Sequence, residues 1–135
     1  GPIEKLEKKV VEGEAPRFII PLQDITVYTG STIDLECKVV GDPMPTIKWS
    51  KDGMILRDDS RYQWEIDSTA GTYRLKINDA NVNDEGAYRC VATNIAGSAT
   101  TKSFVRIDDG SLIQKPSSNE PPRFSIALGD ARAVE

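Results

Sequence analysis

Apolar and polar residues alternate through the middle of the chain. Ile33, Leu35, Cys37 and Val39 interleave with Thr32, Asp34, Glu36 and Lys38. A strand points successive side chains to opposite faces, so this run predicts a β-strand with one face buried and one in water. The same period returns in Ile47 and Trp49, in Tyr62, Trp64 and Ile66, in Tyr73, Leu75 and Ile77, and in Tyr88, Cys90 and Ala92. A last strand is predicted to end at Val105 and Ile107. Between Pro16 and Asp108 no stretch of useful length carries the spacing of a core-facing helix.

The breaks between these runs are chemically specific. Gly41-Asp42-Pro43-Met44-Pro45 ends a strand because its two prolines offer no amide to a ladder. Lys51-Asp52-Gly53 predicts a tight turn, and Asn94-Ile95-Ala96-Gly97 a hairpin. Short strands separated by turn signals at intervals of about ten residues predict an all-β fold, a sandwich or a barrel.

The flanks have a different texture. In Ile3-Glu4-Lys5-Leu6-Glu7-Lys8-Lys9-Val10 the apolar residues recur at spacings of three and four, and Glu4 stands one turn before Lys8. A helix shorter than about 12 residues is marginal in water. Residues 1–15 are therefore open to two readings, a solvated linker or a short helix that docks on a neighbouring domain or partner. Gly1-Pro2 has the form of a scar left by protease removal of a tag, so the natural chain is expected to extend further. Downstream, Pro16-Arg17-Phe18-Ile19-Ile20-Pro21-Leu22-Gln23-Asp24 returns as Pro122-Arg123-Phe124-Ser125-Ile126-Ala127-Leu128-Gly129-Asp130, identical at six of nine positions. Such self-similarity marks an internal repeat. The expected organisation is one domain over residues 16–108, a polar linker over 109–120 and the start of a second copy over 121–135. Slack, that linker has an r.m.s. span of about 20 Å.

Composition narrows the chemistry. A chain of 135 residues suits one ordinary domain with tails. Lys+Arg 17 against Asp+Glu 21 gives a net charge of -4 without a basic cluster, which argues against nucleic acid and anionic membranes as partners. No apolar run approaches the roughly 18 residues of a membrane-spanning helix. Histidine is absent, which removes histidine-based triads and zinc sites. Two cysteines 53 positions apart do not make a thiolate metal site. No catalytic residue, metal or cofactor is expected, and alternating strands suggest no concave apolar site for a small ligand.

Cys37, Trp49 and Cys90, with Tyr88 two residues before the second cysteine, form the core pattern of an immunoglobulin sandwich. Around them stand Gly41-x-Pro43-x-Pro45-x-Ile47-x-Trp49, Tyr73-x-Leu75-x-Ile77 and Asp84-x-Gly86-x-Tyr88-x-Cys90-x-Ala92-x-Asn94-x-x-Gly97. On these motifs residues 16–108 resemble an intermediate-set (I-set) immunoglobulin domain. The opening Pro16-Arg17-Phe18 resembles domain starts in giant muscle proteins of the titin, twitchin and obscurin kind.

The resemblance implies two antiparallel sheets with Greek-key connections around a core that includes Cys37, Trp49, Leu75, Asp84, Tyr88 and Cys90, with Arg61 paired to Asp84. Cys37 and Cys90 would form either a disulfide, worth about 4 kcal/mol on the chain-entropy account, or a pair of buried thiols as in cytosol. The absence of any Asn-x-Ser/Thr sequon accords with thiols. Trp64 departs from the family, which usually has an aliphatic residue there; Tyr62 and Trp64 are expected to pack in the core, with an interface as the other reading. Asp58-Asp59 lacks the ligand number calcium needs and is expected to be a solvated turn. The resemblance also implies that Ile25-Thr26-Val27-Tyr28 pairs in parallel with the last strand near Ser103-Phe104-Val105, so that tension on the ends would shear the two apart. The function implied is a non-catalytic spacer and scaffold of the sarcomere or cytoskeleton. Its partners would be other proteins, namely sarcomeric and cytoskeletal components or neighbouring immunoglobulin and fibronectin-type domains. The alternatives are an extracellular adhesion or receptor domain, and a regulatory module flanking a muscle kinase.

Overall fold

The computed structural model describes residues 12–111. The expectations for residues 1–11, for the linker from residue 112 onward and for the second repeat at 121–135 lie outside the described residues. Nine strands form among the described residues: β1 (Glu14–Ile20), β2 (Ile25–Tyr28), β3 (Ile33–Asp42), β4 (Thr46–Lys51), β5 (Met54–Ile55), β6 (Tyr62–Asp67), β7 (Thr72–Ile77), β8 (Gly86–Asn94) and β9 (Gly97–Asp108). They make a four-stranded sheet in the order β1-β3-β7-β6 and a five-stranded sheet in the order β2-β9-β8-β4-β5. Every neighbouring pair is antiparallel except β2 and β9, which run parallel.

Period-2 patterning explains how the layers meet. Ile33, Leu35, Cys37 and Val39 of β3 and Tyr73, Leu75 and Ile77 of β7 are buried, and the register sets Leu35 beside Leu75 and Cys37 beside Tyr73. From the other sheet, Tyr88, Cys90 and Ala92 of β8 and Val105 and Ile107 of β9 turn inward. Trp49 stands directly opposite Cys90 in the β4–β8 ladder. The Cys90 Sγ lies 3.8 Å from the Cys37 Sγ across the gap between sheets, and both are free thiols.

Two glycines hold backbone that a side chain would forbid. Between Lys51 and Met54 the β4–β5 hairpin has a two-residue loop, Asp52 (φ 51) and Gly53 (φ 84), both left-handed as a type I′ turn demands. Asp52 Oδ1 also accepts the Ala87 amide at 2.9 Å, tying this loop to β8. Gly71 sits at φ 78, where a Cβ would collide with the Val39 carbonyl.

Two features depart from the alternation pattern. First, β1 begins at Glu14, two residues ahead of Pro16, because Glu14 pairs with Asp42 and its carbonyl accepts the Asn94 side chain at 2.8 Å. Second, β6 has Tyr62, Trp64 and Ile66 on its inward parity, yet only Tyr62 is half-buried, whereas Trp64 is 36% and Ile66 61% exposed. This corrects the expectation that Trp64 packs within the core. As the free edge of its sheet, β6 lies where the two layers part.

The corner between β7 and β8 is a closed polar network. Residues Val82–Asp84 form one 3-10 turn capped by Asn81, whose side chain accepts the Asn83 amide at 2.8 Å while Asp84 accepts the Asn81 amide at 2.9 Å. Arg61 grips Asp84 with both terminal guanidinium nitrogens, at 2.8 and 2.9 Å. The Tyr88 hydroxyl donates to the Asp84 carbonyl at 2.6 Å. Burial pushes the Asp84 carboxyl up, but its hydrogen bonds from Arg61 and the Asn81 amide outweigh that and hold it below the ordinary carboxylate range.

Three outcomes follow for stability. Leu75 is fully buried, so Leu75→Ala should cost about 3 kcal/mol and lower Tm by roughly 15 °C in a thermal melt. Arg61→Ala leaves the Asp84 carboxylate without its partner and should cost about 2 kcal/mol by urea unfolding, less than a fully buried pair because Arg61 is partly wet. A carboxyl whose pKa falls on folding adds stability above its unfolded value of 3.8, and that contribution fades as pH drops through the lower folded value. Asp84→Asn should therefore be destabilised at neutral pH and show a shallower loss of stability in acid, measured by urea midpoints across the acid range.

Candidate functional site

Two constructions outside the core have functional geometry. The first joins the chain's ends. After β1 the backbone leaves one sheet and crosses to the other, and each step of the crossing is pinned to β9. The Leu22 amide donates to Thr101 Oγ1 at 2.9 Å, the Ser103 hydroxyl donates to the Gln23 carbonyl at 2.6 Å, and the Phe104 amide donates to Asp24 Oδ1 at 2.7 Å. Then β2 runs parallel to β9 from the pair Ile25–Val105 to the pair Tyr28–Asp108, and the Thr29 amide adds a bond to the Asp108 carbonyl at 2.9 Å. Residues 22–29 are thus laced to residues 101–108 along their whole length.

The poles fix how force enters. Asn94 donates to the Glu14 carbonyl at 2.8 Å and to the Pro43 carbonyl at 2.9 Å, so β1 starts at the pole that carries the β3–β4 and β8–β9 loops. At the other pole β9 ends beside Tyr28 and Thr29, and the next amide, of Gly30, binds the Ala80 carbonyl at 2.7 Å. Tension on the two ends pulls β2 and β9 in opposite directions along their shared axis. Shear loads their hydrogen bonds together rather than one after another.

Thr101 and Ser103 carry this crossing through their hydroxyls, a role that the sequence reading did not assign to either. Both are buried and share the parity of Val105 and Ile107. Polar hydroxyls on an inward face are the signal that was available, since buried hydroxyls need partners.

The second construction is a groove on the opposite flank. Strand β5 is two residues long, so among the described residues no strand lies beside the outer edge of β4 at Thr46, Ile47 and Lys48. Facing it across the sandwich opening is β6. The gap between them is a groove of about 570 Å³, walled by Ile47, Trp49, Ile55, Leu56, Trp64 and Ile66, with Tyr73 beneath and Pro45 at one end. Trp64 meets Trp49 edge-to-face with centroids 5.9 Å apart, and Tyr62 meets Trp64 in the same manner at 6.2 Å. The expectation of no concave apolar site is overturned, because strand alternation does not report where a neighbouring strand stops short. Tyr62 and Trp64 come together here with Trp49, so the groove backs onto the strand that sets Trp49 opposite Cys90, and Tyr62 follows directly on Arg61.

The remaining candidates are structural in their surroundings. Cys90 is pushed well up by its hydrogen bond with Cys37 and by burial, the opposite of an activated nucleophile. Asp59 accepts the Arg61 amide at 2.8 Å and shapes the turn into β6. Among the described residues no group of three or more His, Cys, Asp or Glu side chains converges as a metal site would require.

Comparison with known proteins joins this geometry to a family. The immunoglobulin I-set domain profile matches residues 16–107. The chain is 54% identical over 132 residues to the muscle M-line assembly protein unc-89 of Caenorhabditis elegans, an alignment covering 97% of this chain and 2% of that protein. It is 37% identical over 121 residues to the titin homolog of Caenorhabditis elegans, covering 84% of this chain and 1% of that one. The chain thus spans a very small part of the length of these relatives. The crystal structure of the titin M3 domain superposes with a TM-score of 0.67 at 32% identity, covering 70% of this chain and 98% of that one. A chain of the crystal structure of the complex between titin M10 and an obscurin-like 1 immunoglobulin domain superposes with a TM-score of 0.67 at 29% identity, covering 71% of this chain and 96% of that one. With the sulfur pair, Trp49 and the tyrosine corner in place, and with the profile spanning the whole sandwich, the chain belongs to the immunoglobulin I-set family.

Proposed function

We propose that this chain is a load-bearing spacer and protein-interaction module within a tandem array of a giant cytoskeletal muscle protein, and that it works without catalysis. The observation that carries the proposal is the parallel pairing of β2 with β9 between exits at opposite poles. Each backbone hydrogen bond contributes only about 1 kcal/mol net. Resistance comes from loading the bonds of residues 22–29 simultaneously.

Other features support parts of this reading. The alignment to unc-89 continues past residues 16–107 into both tails, which favours a linker over 109–120 followed by a second immunoglobulin-like repeat over 121–135. Muscle relatives favour a cytoplasmic location in the sarcomere or cytoskeleton, and the free thiols suit a reducing compartment. The complex of titin M10 with an obscurin-like 1 domain favours protein partners. Non-catalytic action is favoured by the buried, raised thiol of Cys90.

Single-molecule stretching of this domain between its two ends tests the mechanical claim. Thr26→Pro and Val27→Pro change neighbouring residues whose amides face opposite sides of β2, so one of the pair removes a donor to β9. That variant should unfold at a much lower peak force than the other, by more than its loss of thermal stability accounts for. Equal peak forces in the parent and both variants would show that the terminal strands do not bear the load.

A further inference from the structure

Among the described residues nothing covers the flank groove, and the segment that precedes Glu12 is placed to supply a covering. We propose that residues Ile3–Val11, which lie outside the described residues, dock in cis against the groove between β4–β5 and β6. This goes beyond the mechanical reading and does not depend on it.

The groove gathers exposed apolar side chains from both sheets along one flank. Trp64 is 36%, Ile55 63% and Ile66 61% exposed, and all three border the same opening. Covering these side chains would remove apolar surface from water, which favours docking of an apolar segment.

The described chain begins beside one end of that opening. Gly13 has φ 118 and lies so close on the β3–β4 loop that a Cβ would collide with the Asp42 carbonyl and stand 3.3 Å from the Pro43 side chain. A Cβ on Gly41 would lie 3.1 Å from the ring of Pro45 and 3.2 Å from the Pro16 Cα, so the start of β1 adjoins the residue that opens the groove. The backbone bends at Gly13, and what precedes it starts next to Pro43 and Pro45.

Length and pattern match the opening. The wall formed by residues 45–49 is about 16 Å long at strand rise. A nine-residue segment is about 13 Å long as a helix and up to about 30 Å extended, so either form reaches along it. Ile3, Leu6 and Val10 share one helical face, while Glu4, Lys5, Glu7, Lys8 and Lys9 supply a solvated one. Too short to be stable alone, such a segment gains most from a preformed apolar surface. A short tether supplies an effective concentration in the millimolar range, so modest contacts suffice.

The chain's two tryptophans, Trp49 and Trp64, both line the groove and report on it directly. The test compares emission wavelength and acrylamide quenching of the full chain, of Leu6→Asp in the full chain, and of a chain beginning at Glu12. Trp64→Phe assigns the signals, and Tm of each variant confirms an intact sandwich. The expected result is a red shift and stronger quenching in both Leu6→Asp and the shortened chain, partly reversed when a peptide of residues 1–12 is added. Unchanged emission and quenching in both variants would overturn the proposal. So would protection that persists in the shortened chain and grows with protein concentration, which would assign the groove to a second copy instead.

Discussion

The meeting of Cys37 and Cys90 across the two sheets, with Trp49 beside Cys90, sets the terms for the whole sandwich. Two sheets must approach closely enough to exclude water along their common interior, and the sulfurs, 3.8 Å apart, are small enough to let the backbones of β3 and β8 come together there. Opposite Cys90 on the adjoining strand, the indole of Trp49 fills the volume beside them. Leu35, Leu75 and Val105 complete a dry centre, and polar partners are pushed to its margins. Thr101 and Ser103 at one margin, and Asp84 at another, are buried yet satisfied by hydrogen bonds. An inward polar group without such a partner would cost more than the bond it failed to make.

How legible each part was from sequence follows from the range of the interaction that decides it. The faces of β3, β7 and β8 are decided by which neighbours are apolar, so Ile33 to Val39, Tyr73 to Ile77 and Tyr88 to Ala92 read cleanly. The turn at Asp52-Gly53 read cleanly too, because left-handed backbone selects its own residues. Trp64 did not. Its parity is inward, but exposure depends on β6 being an edge and on β5 ending after two residues across the gap, and neither fact is local. The early start of β1 at Glu14 depends on Asn94, 80 positions away. The roles of Thr101 and Ser103 depend on a sheet crossing at residues 22–24 that no period reveals.

The sheet crossing also accounts for the parallel pair. A chain that kept β1 and β2 in one sheet would leave β9 paired on one side only, as an exposed edge of the second layer. By switching sheets, the first segment caps that edge, which blunts it against unwanted association, and at the same time ties the two ends of the domain together. Hydroxyls and a carboxylate do the tying where no regular ladder exists, between Leu22 and Asp24.

Strand order separates the two flanks of the molecule. On one side β1 and β2 close the layers, and on the other β5 and β6 leave them ajar. The strands proposed to transmit pull therefore share no edge with the surface that exposes Trp64, Ile55 and Ile66. On the proposed reading, recognition and tensile strength are free to diverge: substitutions along β5 and β6 can retune what is recognised while the bonds between β2 and β9 stay as they are.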